Sequence, residues 1–205
     1  FQLSHINKQY PKKHSFKIHN PFLVKVHEYK KLGRSYVAWI GIFQEQKDLP
    51  DLFNIAKKLP NIKFKIAGIE QAHIDYKTKV ALDNLKKLKN VTFVGLLKQD
   101  DILNLLENAI CLLNTSHYEG FSNTFLEAFS VGTPVISKES VDPDQIISKH
   151  NLGYTGKTYK DLIICINKII NRKIDYKLIR KYLLNNHDPF TLSKKMIKFI
   201  HDEVN

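Results

Sequence analysis

ICLLNTSHYEGFSNTFLEAFSVGTPVIS, residues 110–137, is the stretch whose reading decides the fold. Ile110 to Asn114 is a short apolar run that ends in polar residues, as a buried strand running into a turn does. A polar turn around Gly120 follows. Ser122 to Val131 then reads as a helix that closes at Gly132, the residue best suited to a helix C-terminus, and Thr133 to Ser137 reads as the next strand. Strand, turn, helix and strand in this order make one unit of a parallel sheet covered by helices.

The same alternation extends in both directions. Toward the N-terminus, Tyr36 to Gly41 and Ile62 to Gly68 are strands running into glycine turns. Between them a helix is expected over Lys47 to Leu59, with Leu49, Leu52, Phe53, Ala56 and Leu59 forming one apolar stripe and Pro60 ending it. A helix over about Asp75 to Leu88, a strand Val91 to Gly95 and a helix from about Asp100 complete that half. Toward the C-terminus, helices are expected after Tyr159, over Tyr176 to Leu184 and near Leu192 to Glu203. The fold class is therefore α/β, a Rossmann-like doubly wound parallel sheet of five or six strands with C-terminal helices. Residues 1–34, with two prolines and no sustained period, read as a connector, and 35–205 as the domain.

A chain of 205 residues, 43% hydrophobic, is long enough to bury one proper core. Its two cysteines, Cys111 and Cys165, stand far apart in apolar surroundings, so both are expected to be buried reduced thiols, which suits a cytoplasmic setting. No apolar run approaches the roughly 18 residues needed to span a bilayer. The formal charge of +12 raises nucleic acid or an anionic membrane as partners. Its cations, however, are dispersed lysines, with arginine only at positions 34, 172 and 180, so a solvated surface is the preferred reading and no nucleic acid is expected.

Ligands of an open parallel sheet sit beyond the carboxyl ends of its strands. Asn114 to Thr133 falls there, and a helix whose first turn lacks acidic side chains offers free N–H groups and partial positive charge to phosphate oxygens. Glu127 within that helix and Glu119 just before it could both reach the hydroxyls of a neutral polyol. Taken alone, two such glutamates are more often surface charges.

Glu119, seven intervening residues and Glu127, set in EGFSNTFLEAFSVGTPVIS, resemble the signature of the GT-B retaining glycosyltransferases of group 1, family 4. Other elements fall in order: SFKIHNP (15–21) is similar to the interdomain connector, YVAWIGIFQEQKDL to the first strand and phosphate loop, and VTFVGLL to the strand before the base-binding loop. The resemblance implies that this chain is the donor-binding half of such an enzyme, with an N-terminal acceptor domain missing. It implies a UDP-, GDP- or ADP-sugar donor, no metal and no other cofactor, a place in polysaccharide or glycolipid assembly, and peripheral association with the inner face of the plasma membrane. Position by position, Glu119 would bind the donor sugar and Glu127 the ribose. The amides of Gly120, Phe121, Ser122, Asn123 and Thr124 would meet sugar and diphosphate. Lys47, spaced from Gly41, would neutralise the diphosphate, Ser116 would line the pocket, and the backbone at Leu96 and Leu97 would border the base.

One position departs from the pattern. Where the family places an arginine directly after the first-strand glycine, this chain has Ile42, so another cation such as Lys98 substitutes, or donor binding is weak, or activity is changed or lost. A catalytically inactive nucleotide-binding module is therefore the first alternative. Glu70, where a second glycine often follows Gly68, is a smaller departure. GYTGKT (153–158) imitates the end of a phosphate-binding P-loop but lacks the frame of one. His117 reads as a rim residue, and the sequons at Asn90 and Asn114 read as chance matches.

Overall fold

The structure, a computed structural model, describes residues 2–11, 15–24, 33–142, 144–171 and 175–204. Arg172 and residues 12–14 and 25–32 of the expected connector lie outside the described residues.

Six parallel strands form one sheet: β1 Tyr36–Ile40, β2 Lys63–Ala67, β3 Val91–Gly95, β4 Ala109–Asn114, β5 Val135–Lys138 and β6 Gly153–Gly156. Their order is β3-β2-β1-β4-β5-β6, with β1 paired to β2 on one side and to β4 on the other. The expected Rossmann-like doubly wound sheet is the observed one. Helices α2 Leu49–Lys58, α3 Tyr76–Leu85, α4 Gln99–Glu107, α5 Asn123–Ser130, α6 Ile146–Lys149 and α7 Tyr159–Ile170 connect or follow the strands. α1 Gln2–Gln9 precedes the sheet, and α8 Tyr176–His187 and α9 Pro189–Val204 close the chain.

Alternation along β1 divides the core. Tyr36 and Ala38 face a cluster built with Leu106, Phe125, Phe129 and Leu183, while Val37 and Trp39 face one built with Leu52, Ile55, Leu82 and Ile166. Residues two apart share a face, so one five-residue strand seeds both layers. Cys111 and Cys165 are buried free thiols of the second cluster, and burial pushes both thiol pKa values up. Arg34 holds the carbonyls of Ala109, Val131 and Gly132 and covers the Tyr176 ring, a structural employment for one of the few arginines.

One expectation needs correction, and two segments take on structure that the sequence does not signal. α2 starts at Leu49, not at Lys47: Asp48 takes a left-handed conformation (φ 50°), its carboxylate accepts from the Asp51 amide, and Lys47 sits in a short 3-10 turn, Glu45–Lys47. Helical periodicity cannot register such a break, since the Leu49 stripe is indifferent to where the first turn begins. The P-loop imitation is β6, the edge strand paired with β5. Its following amides, Lys157 and Thr158, both donate to Asp161 Oδ2 in the α7 cap, so none is left for a phosphate. The connector segment also contains a helix, α1.

Backbone contact at the ends of β1 and β2 requires a glycine at 68. With φ at +152°, a Cβ there would lie 1.9 Å from the Gly41 carbonyl oxygen. The close approach is secured by Gly41 N–H donating to the Ala67 carbonyl (3.0 Å) and Gly68 N–H to that of Gly95 (2.9 Å). Positive-φ strain and a forced backbone shift each cost about 1–3 kcal/mol. We therefore expect Gly68→Ala to lose about 2–5 kcal/mol of stability in urea unfolding. A loss under about 1 kcal/mol would mean that this approach is not required.

Candidate functional site

The direction of winding reverses between β1 and β4, since α2 carries the chain toward β2 and α5 carries it toward β5. A crevice opens at the carboxyl ends of such a strand pair. Its walls are two loops, Gly41 to Asp48 after β1 and Thr115 to Ser122 after β4.

These loops are tied together by hydrogen bonds. His117 N–H donates to the Gln46 carbonyl (2.9 Å), Gln46 Nε2 donates to the Tyr118 carbonyl (2.7 Å), and Thr115 Oγ1 donates to the Lys47 carbonyl (2.7 Å). Trp39 Nε1, buried at the end of β1, donates to Thr115 Oγ1 (3.0 Å). Lys47 and Glu119, far apart in sequence, meet across the tied loops, with Lys47 Nζ 2.5 Å from Glu119 Oε1 and the side chains 17% and 11% exposed. The same carboxylate oxygen accepts from Ser116 Oγ (2.8 Å) and Asn114 Nδ2 (3.4 Å). Gly41 lies over the lysine stem: a Cβ on it would stand 3.4 Å from Lys47 Cδ.

α5 enters the crevice without a side-chain cap. Ser122, its N-cap, pairs its hydroxyl with that of Thr124 (2.7 Å) instead of with a backbone amide, and the first turn carries no acidic residue. The amides of Asn123 and Thr124 thus keep the character of an uncapped helix start. Gly120 has nothing within 4 Å of a Cβ built on it, so no protein contact demands a glycine there. Phe121 turns its ring inward, edge-on to Phe125 and stacked on His187, so only its backbone is offered to the loop's polar side.

One turn into α5, Glu127 is half-buried, and its carboxylate has no hydrogen-bond or ion-pair partner among the described residues. Burial holds its pKa above the usual carboxylate range. An acceptor kept charged in such surroundings at neutral pH costs stability, which is expected of a group shaped for a ligand.

The remaining expected residues are placed less centrally. Leu97 is half-buried against the core, whereas Leu96 is 73% exposed at the end of β3. Ile42 is exposed beside Gly41, and Lys98 is an exposed residue at the start of α4 with no ion pair among the described residues. Glu70 binds Lys79 and Lys86 on the surface, away from any glycine-like role. The sequon amides are engaged inside the fold: Asn90 Nδ2 contacts the carbonyls of Ala56, Leu59 and Ile62, and Asn114 binds Glu119. The structure adds Thr115, Asp48 and Lys138, which no spacing in the chain singles out. The Asp48-Leu49-Pro50 run, a cap followed by a first-turn proline, was the one legible sign of a helix start there.

Comparisons with known proteins bear on the family and the fold. The chain is 29% identical over 147 residues to an uncharacterized glycosyltransferase of Methanocaldococcus jannaschii, covering 70% of this chain and 31% of that protein. It is 33% identical over 75 residues to a lipopolysaccharide 1,6-galactosyltransferase of Salmonella typhimurium, covering 35% and 21%. The chain thus spans about a third or less of the curated relatives it matches. Among solved structures, it superposes on sucrose-phosphate synthase from Thermosynechococcus elongatus with a TM-score of 0.81, 15% identity, and 99% and 56% of the two chains covered. On S. aureus TarM, in a complex that includes UDP, the TM-score is 0.77, with 20% identity over 96% of this chain and 41% of that one. At these identities the structural likeness speaks for the fold. A family profile matches residues 25–204, which contain every strand and both crevice loops, and by that match the chain belongs to the glycosyl transferases group 1 family.

Proposed function

We propose that this chain is the donor-binding domain of a retaining glycosyltransferase. It would grip a nucleoside-diphosphate sugar in the crevice between β1 and β4, while an N-terminal domain, of which residues 1–34 are the connector, holds the acceptor. The observation that carries the reading is the convergence of Lys47, Glu119 and the uncapped start of α5 at the topological switch point. UDP in the TarM complex and in the Anabaena HepE complex supports a nucleotide ligand.

Diphosphate oxygens would take the α5 amides and Lys47 Nζ, which neutralises the charge growing on the departing nucleotide. Glu119, released from Lys47 but still held by Ser116 and Asn114, would accept from sugar hydroxyls, and Glu127 from the ribose. No metal is needed in this scheme, since Lys47 and the helix supply the positive charge. Transfer requires closure of both domains around the cleft, so this chain by itself should turn over little or no donor. A role in polysaccharide or glycolipid assembly, at the inner face of the plasma membrane, belongs to the same proposal.

Calorimetric titration with UDP, GDP and ADP tests it. One nucleotide should bind saturably, and Lys47→Ala should weaken it about ten- to a hundredfold, the worth of a charged hydrogen bond. Binding that is indifferent to Lys47 and Glu127 would overturn the reading.

Glu127 adds a signed prediction. Its folded pKa is raised above the unfolded value, so the unfolded state ionises first as pH rises, and stability falls between the ordinary carboxylate pKa and the raised one. Glu127→Gln should therefore raise the melting temperature at neutral pH, with the gain vanishing as pH drops below the ordinary carboxylate range. The same variant should bind the nucleotide about tenfold more weakly. A variant that loses stability at neutral pH would show that the carboxylate serves the fold.

Ile42 favours a second reading, a nucleotide-binding module without transfer activity, because no cation follows Gly41. Ile42 is exposed, so Ile42→Arg should leave the fold intact and tighten nucleotide binding severalfold if the diphosphate passes there. Unchanged affinity would place the diphosphate elsewhere.

A further inference from the structure

Lys138 is the last residue of β5, at the same sheet edge as the crevice, and only 8% of it is exposed. Its Nζ lies 2.5 Å from Asp48 Oδ2 and 2.7 Å from Asp51 Oδ2. His117 Nδ1 approaches the same Asp48 oxygen at 3.4 Å. Asp48 directly follows Lys47 and is one of the non-glycine residues at positive φ, a conformation that costs a residue with a Cβ about 1–3 kcal/mol. Its other oxygen caps α2 through the Asp51 amide (3.2 Å).

Removing an ammonium and two carboxylates from water costs several kcal/mol per ion, and apolar side chains of similar volume could fill the space without that cost. What apolar side chains would not do is hold a left-handed aspartate in one place. Thr115 fixes the Lys47 carbonyl from the β4 side, and the ion cluster fixes the next residue from the β5 side. Between them, the backbone of Lys47 is clamped at both ends of one peptide unit.

We infer that Lys138 is a positioning residue for Lys47: by pinning Asp48 in its left-handed turn, it aims the Lys47 ammonium at the bound diphosphate. The inference rests on the donor reading above. Lys138 acts without touching the ligand, since both of its neighbours are carboxylates. Burial by itself would lower its pKa, but the hydrogen bonds it donates to those carboxylates raise it, so it stays charged. Without it, two carboxylates would face each other, the turn at Asp48 would relax, and Lys47 would lose its aim. Displacements of about 1 Å in positioned groups cost up to about a hundredfold.

The test is a double-mutant cycle in nucleotide affinity. Titration with whichever of UDP, GDP or ADP the wild type binds would be repeated on Lys138→Met, Lys47→Ala and the double variant. Lys138→Met should weaken binding roughly tenfold and have no further effect where Lys47 is already alanine. A merely structural lysine would lower the melting temperature and leave affinity unchanged, or would weaken binding equally in both backgrounds; either result overturns the inference. If Lys138→Met does not fold, Lys138→Met with Asp51→Asn, which leaves one buried carboxylate instead of two, carries the same cycle. Binding of none of the three nucleotides by the wild type would overturn the donor reading, and the inference with it. Lys47-dependent binding that ignores Lys138 would overturn the inference alone.

Discussion

The indole N–H of Trp39 is the constraint on which the site depends. The ring fills the core under α2 and is 1% exposed, so its donor must be satisfied inside the protein or cost about 1–3 kcal/mol. Thr115 supplies the acceptor and in turn donates a hydrogen bond to the Lys47 carbonyl. Burial of one aromatic side chain thereby binds the loop after β4 to the loop after β1. The meeting of Glu119 with Lys47 follows from that bond.

Charge in this protein is organised in two ways. The lysines behind the formal +12 are mostly spread over solvent faces, where their mutual effects are screened. At the crevice Lys47 already has a carboxylate partner in Glu119, and Lys138 has two, in Asp48 and Asp51. A ligand bound there would exchange partners with a preformed array instead of meeting bare charge, while the Glu127 carboxylate has no partner among the described residues. Such an array is pre-organised, which lowers the cost of ordering it on binding.

The segment 15–24 joins this array from the far side. Phe16 stacks on Phe199, the Asn20 carbonyl meets His187 Nδ1 (2.8 Å), and Phe22 N–H donates to the His187 carbonyl (2.8 Å). His187 in turn stacks on Phe121, at the entry to α5. Burial lowers the His187 pKa, which keeps the ring neutral and compatible with its aromatic neighbours. A continuous line of contacts thus runs from the segment before the sheet to the backbone proposed to meet the donor.

The amino-acid sequence by itself determined the alternation of strands and helices, because apolar periodicity is a local property that each segment expresses alone. It also determined the family, because Glu119, Gly120 and Glu127 lie close enough along the chain for their spacing to be read. It did not disclose β6, whose four residues Gly153–Gly156 have too little apolar character and become a strand by pairing with β5. Nor did it disclose α1, or the break that puts Lys47 outside α2, since a left-handed aspartate leaves no periodic trace. Thr115, Asp48 and Lys138 were beyond it for a different reason: each is an ordinary residue until β1, β4 and β5 bring their carboxyl ends together. Only the tertiary structure decided those meetings, since they depend on strand order, which pairs residues about seventy to ninety positions apart and which no local interaction specifies.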